Sequence, residues 1–225
     1  MPRDTLDREM HHLEDEVLLL GSIVEQAVLS GVDALNRHDL QLARQVNRDD
    51  RLINEKRYAI ENATLIVIAT QQPMAHDLRT LTAILEVITE LERIGDYAKG
   101  IAKIAIRLGE APMPIPSREF THMAELAVAM VHKALSAFIK EDAELASSIP
   151  YEDNQVDELF NRTYRNLVNS MIADPAIIDK ANLLMWVSHN LERTADRATN
   201  ICERTIFIAT GELMENESPE DEEIL

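Results

Sequence analysis

Apolar residues recur every three or four positions along most of the chain, the spacing of helices that each bury one face. The pattern predicts a first helix over about Leu6 to Asn36, a second from near Asp39 to Thr70, and a third from Met74 to Leu108, closed by Gly109. The segment Ala111-Pro-Met-Pro-Ile-Pro116 then forbids helix, because proline lacks an N–H and its ring clashes with the preceding turn. Beyond it, Ser117 is expected to cap a fourth helix to about Lys140 and Asp142 a fifth to about Ala173. Asp174-Pro175 opens a sixth as N-cap and first-turn proline, and Gly211 closes it.

These breaks repeat. His38-Asp-Leu-Gln-Leu-Ala43 resembles Glu141-Asp-Ala-Glu-Leu-Ala146, and Asp50-x-x-Ile-Asn54 resembles Asp153-x-x-Val-Asp157 at the same offset. Leu91-Glu-Arg-x-x-Asp96-x-Ala-x-x-Ile101 recurs as Leu191-Glu-Arg-x-x-Asp196-x-Ala-x-x-Ile201. Three similarities in one order imply a duplicated unit. Helices of about 30 residues are roughly 45 Å long, and short turns between them make neighbours antiparallel. The expected fold is therefore all-α: two tandem three-helix bundles, residues 1–110 and 117–210, joined by a proline-rich linker at 111–116. Residues 211–225 carry seven acids and no base, which predicts a solvated tail.

Composition agrees with a helical core, since 46% of residues are hydrophobic but only 4% aromatic. Forty acids against 22 bases give a formal charge of −18, which repels nucleic acid and anionic lipid and favours metal ions and basic protein surfaces. Cys202 is the single cysteine, so no internal disulfide or cysteine cluster is expected. The uninterrupted apolar runs fall short of the roughly 18 residues that span a bilayer, and the N-terminal residues lack the apolar core of a signal peptide. A soluble protein is expected.

The duplicated acids carry the candidate chemistry. Glu92 and Asp96 share a helix face at the edge of the Leu81, Ile84, Ile88, Leu91 stripe, where like charges four apart oppose each other. An antiparallel turn near residue 72 places Glu92 level with residue 52, between Asp50 and Asn54. The same construction around residue 174 sets Glu192 between Asp153 and Asp157, with Asp196 one turn on. Acids at such spacing commonly form a solvated face or pair with adjacent arginines such as Arg93 and Arg193. Duplication with matched height favours convergence instead. Gathered carboxylates need protons or a cation, and oxygen-only ligation suits hard ions such as Mg, Mn, Ca or Fe. The expected ligands are Asp50, Asn54, Glu92 and Asp96 in the first unit and Asp153, Asp157, Glu192 and Asp196 in the second. The pattern leaves the metal open, and the ligand count allows several ions per unit.

Glu9-x-x-His12 and Glu119-x-x-His122 resemble the pairs of di-iron bundles. His12 falls roughly 16 Å from the first set by helical rise, and His122 only some 6 Å from the second. First-turn acids that complement the helix dipole are the simpler reading of both. No phosphate-binding glycine loop or nucleophile motif is present. Trp186 is expected in the core or on a bundle face.

Pro73-x-Ala75-x-Asp77-Leu78-Arg79 followed by Leu91-Glu-Arg-Ile-Gly-Asp96, with Leu191-Glu-Arg-x-x-Asp196-x-Ala-x-Asn200-Ile, resembles the PhoU family over about residues 6–210. The resemblance implies two pseudo-symmetric three-helix bundles with metal clusters on Glu/Asp-x-x-x-Asp motifs, a role that falls on the acids named above. It also implies a cytoplasmic, non-enzymatic regulator, often a homodimer. Such a regulator restrains the phosphate ABC transporter, through its nucleotide-binding subunit, and the sensor histidine kinase of phosphate starvation, with only peripheral membrane association. The first unit departs from the pattern at Gly100, where an asparagine is usual, as at Asn200; this bears on whether the bundles load metal equally. A carboxylate-bridged oxidase or hydrolase is the competing expectation.

Overall fold

The computed structural model describes residues 2–109 and 115–212, and within them every long element is a helix. The first unit comprises α1 (Pro2–Asn36), α2 (Leu40–Gln71) and α3 (Ala75–Leu108). The second comprises α4 (Ser117–Lys140), α5 (Ala143–Ser148), α6 (Pro150–Ala173), a 3-10 turn at Pro175–Ile177 and α7 (Ile178–Thr210). Most of the expected linker and the tail beyond residue 212 lie outside the described residues.

The helix ends follow local chemistry. Asp39 accepts from the amides of Gln41 and Leu42, and Asp142 from that of Leu145. His38 and Glu141, the residues before these caps, both adopt left-handed backbone, and the Asp39 and Asp142 amides reach back to the carbonyls of Ala34 and Ala137. The duplication thus extends to the turn geometry. Gly109 and Gly211 close α3 and α7, their amides bonded to the carbonyls of Ala105 and Phe207.

Three expectations change. The first helix begins at Pro2, so Glu9 lies beyond its first turn. Ser117 is the first residue of α4, and its hydroxyl bonds the Ile115 carbonyl and caps no amide. The expected fifth helix is broken at Ile149 because Pro150 cannot donate to the preceding turn; α6 then starts afresh with Glu152 and Asp153 in its first turn. Asp174 does cap, accepting from Ala176, but onto the 3-10 turn that precedes α7.

α1, α3, α7 and α4 pack in a closed ring, with α2 against α1 and α3, and α6 against α4 and α7. Leu20, Val24, Leu81, Ile84, Leu91, Leu184 and Leu191 are fully buried, and one continuous apolar core runs through both units. The ring explains α1, whose apolar content reaches a mean hydropathy of 1.5 over 18 residues, enough by length and composition to cross a membrane. Expectation from uninterrupted runs missed this. Leu13, Val17, Leu20, Val24, Val28 and Val32 of α1 are nonetheless in the core, while Leu18, Leu19 and Leu29 are exposed.

The two bundles meet mainly along antiparallel α3 and α7. Glu90 of α3 accepts from Arg197 at 3.1 Å and from Asn200 at 3.0 Å, both on α7. At the opposite end of this contact a Cβ on Gly100 would stand 2.8 Å from Asn190 Nδ2. Gly100 is therefore where the facing asparagine fits closely. Asp77 is tied by two bonds to Arg3 of α1, and Arg79 donates to the Ile208 carbonyl near the end of α7.

Candidate metal centre

Helix pairing in the first unit sets Asp50 beside Lys99, Ile53 beside Gly95 and Arg57 close enough to Glu92 to lower its pKa. This register differs by about one helical turn from the expected one, because Gln72, Pro73 and Met74 form a non-helical connection. Gly95 permits the approach: a Cβ there would lie 2.9 Å from Ile53 Cδ1.

Asp50 is buried, and its Oδ2 accepts from Lys99 Nζ at 2.6 Å and Asn54 Nδ2 at 3.2 Å. Lys99 also stands 3.6 Å from Asp96 Oδ1, whose side chain is 53% exposed. Glu92 is raised above the ordinary carboxylate range by partial burial and then by Asp96 and Asp50, with Arg57 and Arg93 opposing. Asp50, Glu92 and Asp96 therefore share one electrostatic neighbourhood, and Asn54 bonds within it. Arg93 itself turns to Glu90 at 2.8 Å.

The second set is more strained. Burial, Asp157, Asp196 and Glu192 together push Asp153 up to about 7. Burial and Asp196 push Glu192 up to about 7 as well, with Asp157 adding and Arg193 and Arg197 opposing. Arg193 bonds Asp196 Oδ2 at 2.8 Å, while Arg197 is 3.9 Å from the same oxygen and nearer to Glu90. Asp153 Oδ1 and Glu192 Oε2 are buried without a hydrogen bond, as is Asp50 Oδ1 in the first set, but Glu192 Oε2 stands 3.6 Å from Arg193 Nε. Asp153 lies in the first turn of α6, where the helix dipole favours negative charge.

Among the described residues no three His, Cys, Asp or Glu side chains close to metal-holding distances. The donor chemistry of the second set nevertheless suits a hard cation: four carboxylates, among them Asp153 with a buried oxygen that has no hydrogen bond, at a cost that a positive ion would remove. In the first set an ammonium already holds the most buried carboxylate. Reading the acids alone missed Lys99; aligning the repeats would have found it, because Thr199 stands at the matching position.

Glu9 and His12 are exposed on α1. Glu119 does occupy the first turn of α4, and with His122 it borders a surface cavity of about 470 Å³ between α4 and α6, with Arg118, Gln155 and Arg162. Trp186 is 54% exposed and meets His189 edge-on, which excludes the core. His189 lies 3.4 Å from Glu192; burial and then Arg193 lower its pKa, with Asp196 opposing. Cys202 is buried, its thiol pushed up to about 12 by burial.

A family model described as the PhoU domain matches residues 17–105 and again 120–205, one match on each bundle. The chain belongs to the PhoU family. It is 33% identical over 217 residues to a phosphate-specific transport system accessory protein PhoU homolog of Rhizobium meliloti, covering 96% of this chain and 92% of the relative. It is 36% identical over 206 residues to the homolog of Pseudomonas aeruginosa, covering 90% and 84%. The crystal structure of PhoU from Pseudomonas aeruginosa superposes with a TM-score of 0.86 at 35% identity, over 92% of this chain and 99% of that one. That of the phosphate transport system regulatory protein PhoU from Streptococcus pneumoniae gives 0.87 at 31%, over 94% and 100%. Two PhoU units, each carrying one carboxylate set, account for the repeat.

Proposed function

We propose that this chain is a regulator of phosphate uptake that binds metal and acts through protein contacts. Kinship over nearly the whole length with proteins named as accessory and regulatory components of phosphate transport supports the role. In this reading it restrains the phosphate ABC transporter, through its nucleotide-binding subunit, and the sensor kinase of phosphate starvation. It works in the cytoplasm as a homodimer that meets the membrane only through these partners. A charge of −18 suits basic protein surfaces and disfavours direct adhesion to anionic lipid.

The observation that carries the metal reading is Asp153, a partly buried carboxyl whose charged neighbours are all carboxylates. Asp153, Asp157, Glu192 and Asp196 would hold the ion, with iron first and Mn, Mg or Zn as alternatives. A bound cation would fix α6 against α7 by neutralising acids that otherwise repel. The test is metal analysis of protein purified without chelator, beside the Asp153→Asn/Asp196→Asn double variant. Loss of metal together with derepressed phosphate-starvation reporters supports the reading. Metal content equal to wild type removes the metal claim, and failure to capture either the nucleotide-binding subunit or the kinase removes the contact claim. Oxygen consumption that depends on Glu192 would favour the oxidase alternative.

A further inference from the structure

We infer that the first bundle carries its own cation, Lys99, in the position that metal takes in the second, so that the two PhoU units of this chain bind metal unequally and the second alone is loaded. The inference rests on the metal reading above and assigns that site to one half of the molecule.

Three matched positions separate the halves. Lys99 Nζ stands 2.6 Å from Asp50 Oδ2 and 3.6 Å from Asp96 Oδ1, bridging the outer helix to the inner one. Its counterpart is Thr199, whose hydroxyl is turned back onto the Asp196 carbonyl at 2.7 Å and carries no charge. Asn54, a neutral amide donating to Asp50, occupies the place of the acid Asp157. Arg57, which stands near Glu92 and also pairs with Glu61 at 2.9 Å, is replaced by Phe160.

Each change moves the first set toward neutrality. A divalent ion entering there would have to displace an ammonium held by a short charge-assisted bond to a buried carboxylate. The second set does contain Arg193 and Arg197, but Arg193 stays on α7, 2.8 Å from Asp196 and 3.6 Å from Glu192, and Arg197 is drawn across the interface to Glu90. Neither gives Asp153 Oδ1 a hydrogen bond.

The experiment uses full-length protein stripped with chelator, incubated with Mn2+ alone, freed of excess ion and analysed for metal per chain. Asp50→Asn is expected to retain the wild-type content and Asp153→Asn to lose it. Asn54→Asp/Arg57→Phe/Lys99→Thr, which copies the second bundle at the three positions, should about double it, since a second deprotonated oxygen set becomes available. In chelator, Lys99→Met should lower Tm by about 3 °C or more, because Asp50 is left buried beside uncompensated charge. Equal loss of Mn2+ through Asp50→Asn and Asp153→Asn would overturn the division between bundles, as would an unchanged Tm for Lys99→Met. A wild-type chain that takes up no Mn2+ overturns the metal reading itself, a different result from uptake shared by both halves.

Discussion

Asp153 and Glu192 make the metal-free protein sensitive to pH in an unusual direction. Both carboxyls are held near 7, so the folded chain keeps protons that the unfolded chain releases at the ordinary carboxylate values. Folding then takes up protons between about pH 4 and about pH 7, and stability falls as pH rises through that window, levelling off above it. Denaturant unfolding in chelator at about pH 5 and about pH 8 measures this. Asp153→Asn should flatten the dependence and make the variant more stable than wild type at the higher pH. Saturating Mn2+ should oppose the fall, because the ion binds the deprotonated oxygens. A wild-type chain whose stability in chelator rises over the same window would show that these acids are satisfied in a way the geometry does not indicate.

Caps separate the helix ends that local sequence governs from those set by packing. Asp39→Ala and Asp142→Ala should each cost about 1 kcal/mol, for the loss of side-chain acceptors to orphan amides at the starts of α2 and α5. Ser117→Ala should stay within about 0.5 kcal/mol, since its hydroxyl caps nothing. Chemical denaturation of the three variants tests the contrast, and an equal cost at Ser117 would restore it as a cap. The helices, the repeat and the Asp39, Asp142, Gly109 and Gly211 ends were legible in the chain because each is decided by residues within one turn. The break at Pro150 was overlooked because its neighbours keep a helical period, although the proline itself was visible. Facing levels on α2 and α3 were displaced by about one turn, since the non-helical residues at the connection offset the two helices. The acids alone showed Asn54 against Asp157, but not the cation at Lys99, whose counterpart in the other unit is Thr199.

The two bundles share a core, so they should not unfold independently. Residues of α1, α3, α4 and α7 form one apolar cluster, and the interface between α3 and α7 is locked by Glu90, which gathers Arg93, Arg197 and Asn200 in a mostly buried setting. A protein of two self-sufficient bundles would lose its halves in separate steps, whereas a continuous core predicts one cooperative transition in metal-free protein, coincident by far-UV dichroism and Trp186 fluorescence. Glu90→Ala removes an acceptor of charge-assisted bonds from both bundles and should destabilise the whole by about 1.5–3 kcal/mol. Because Arg197 loses its nearer partner in that variant, Glu90→Ala/Arg197→Ala should be less destabilising than the two single changes added together. Strict additivity would mean that the pair does not couple the bundles. Two resolved transitions in wild type would mean that the core, though continuous in space, is divided in energy. Coupling of this kind would let a bound cation act across the interface: Arg197 touches Glu90 of the first bundle at 3.1 Å and lies 3.9 Å from Asp196 of the second set, so a cation drawing Asp196 away would leave Arg197 wholly to the first bundle. Metal in one half would then tighten the contact between halves, and the Glu90→Ala penalty should be larger in Mn2+-loaded protein than in chelator.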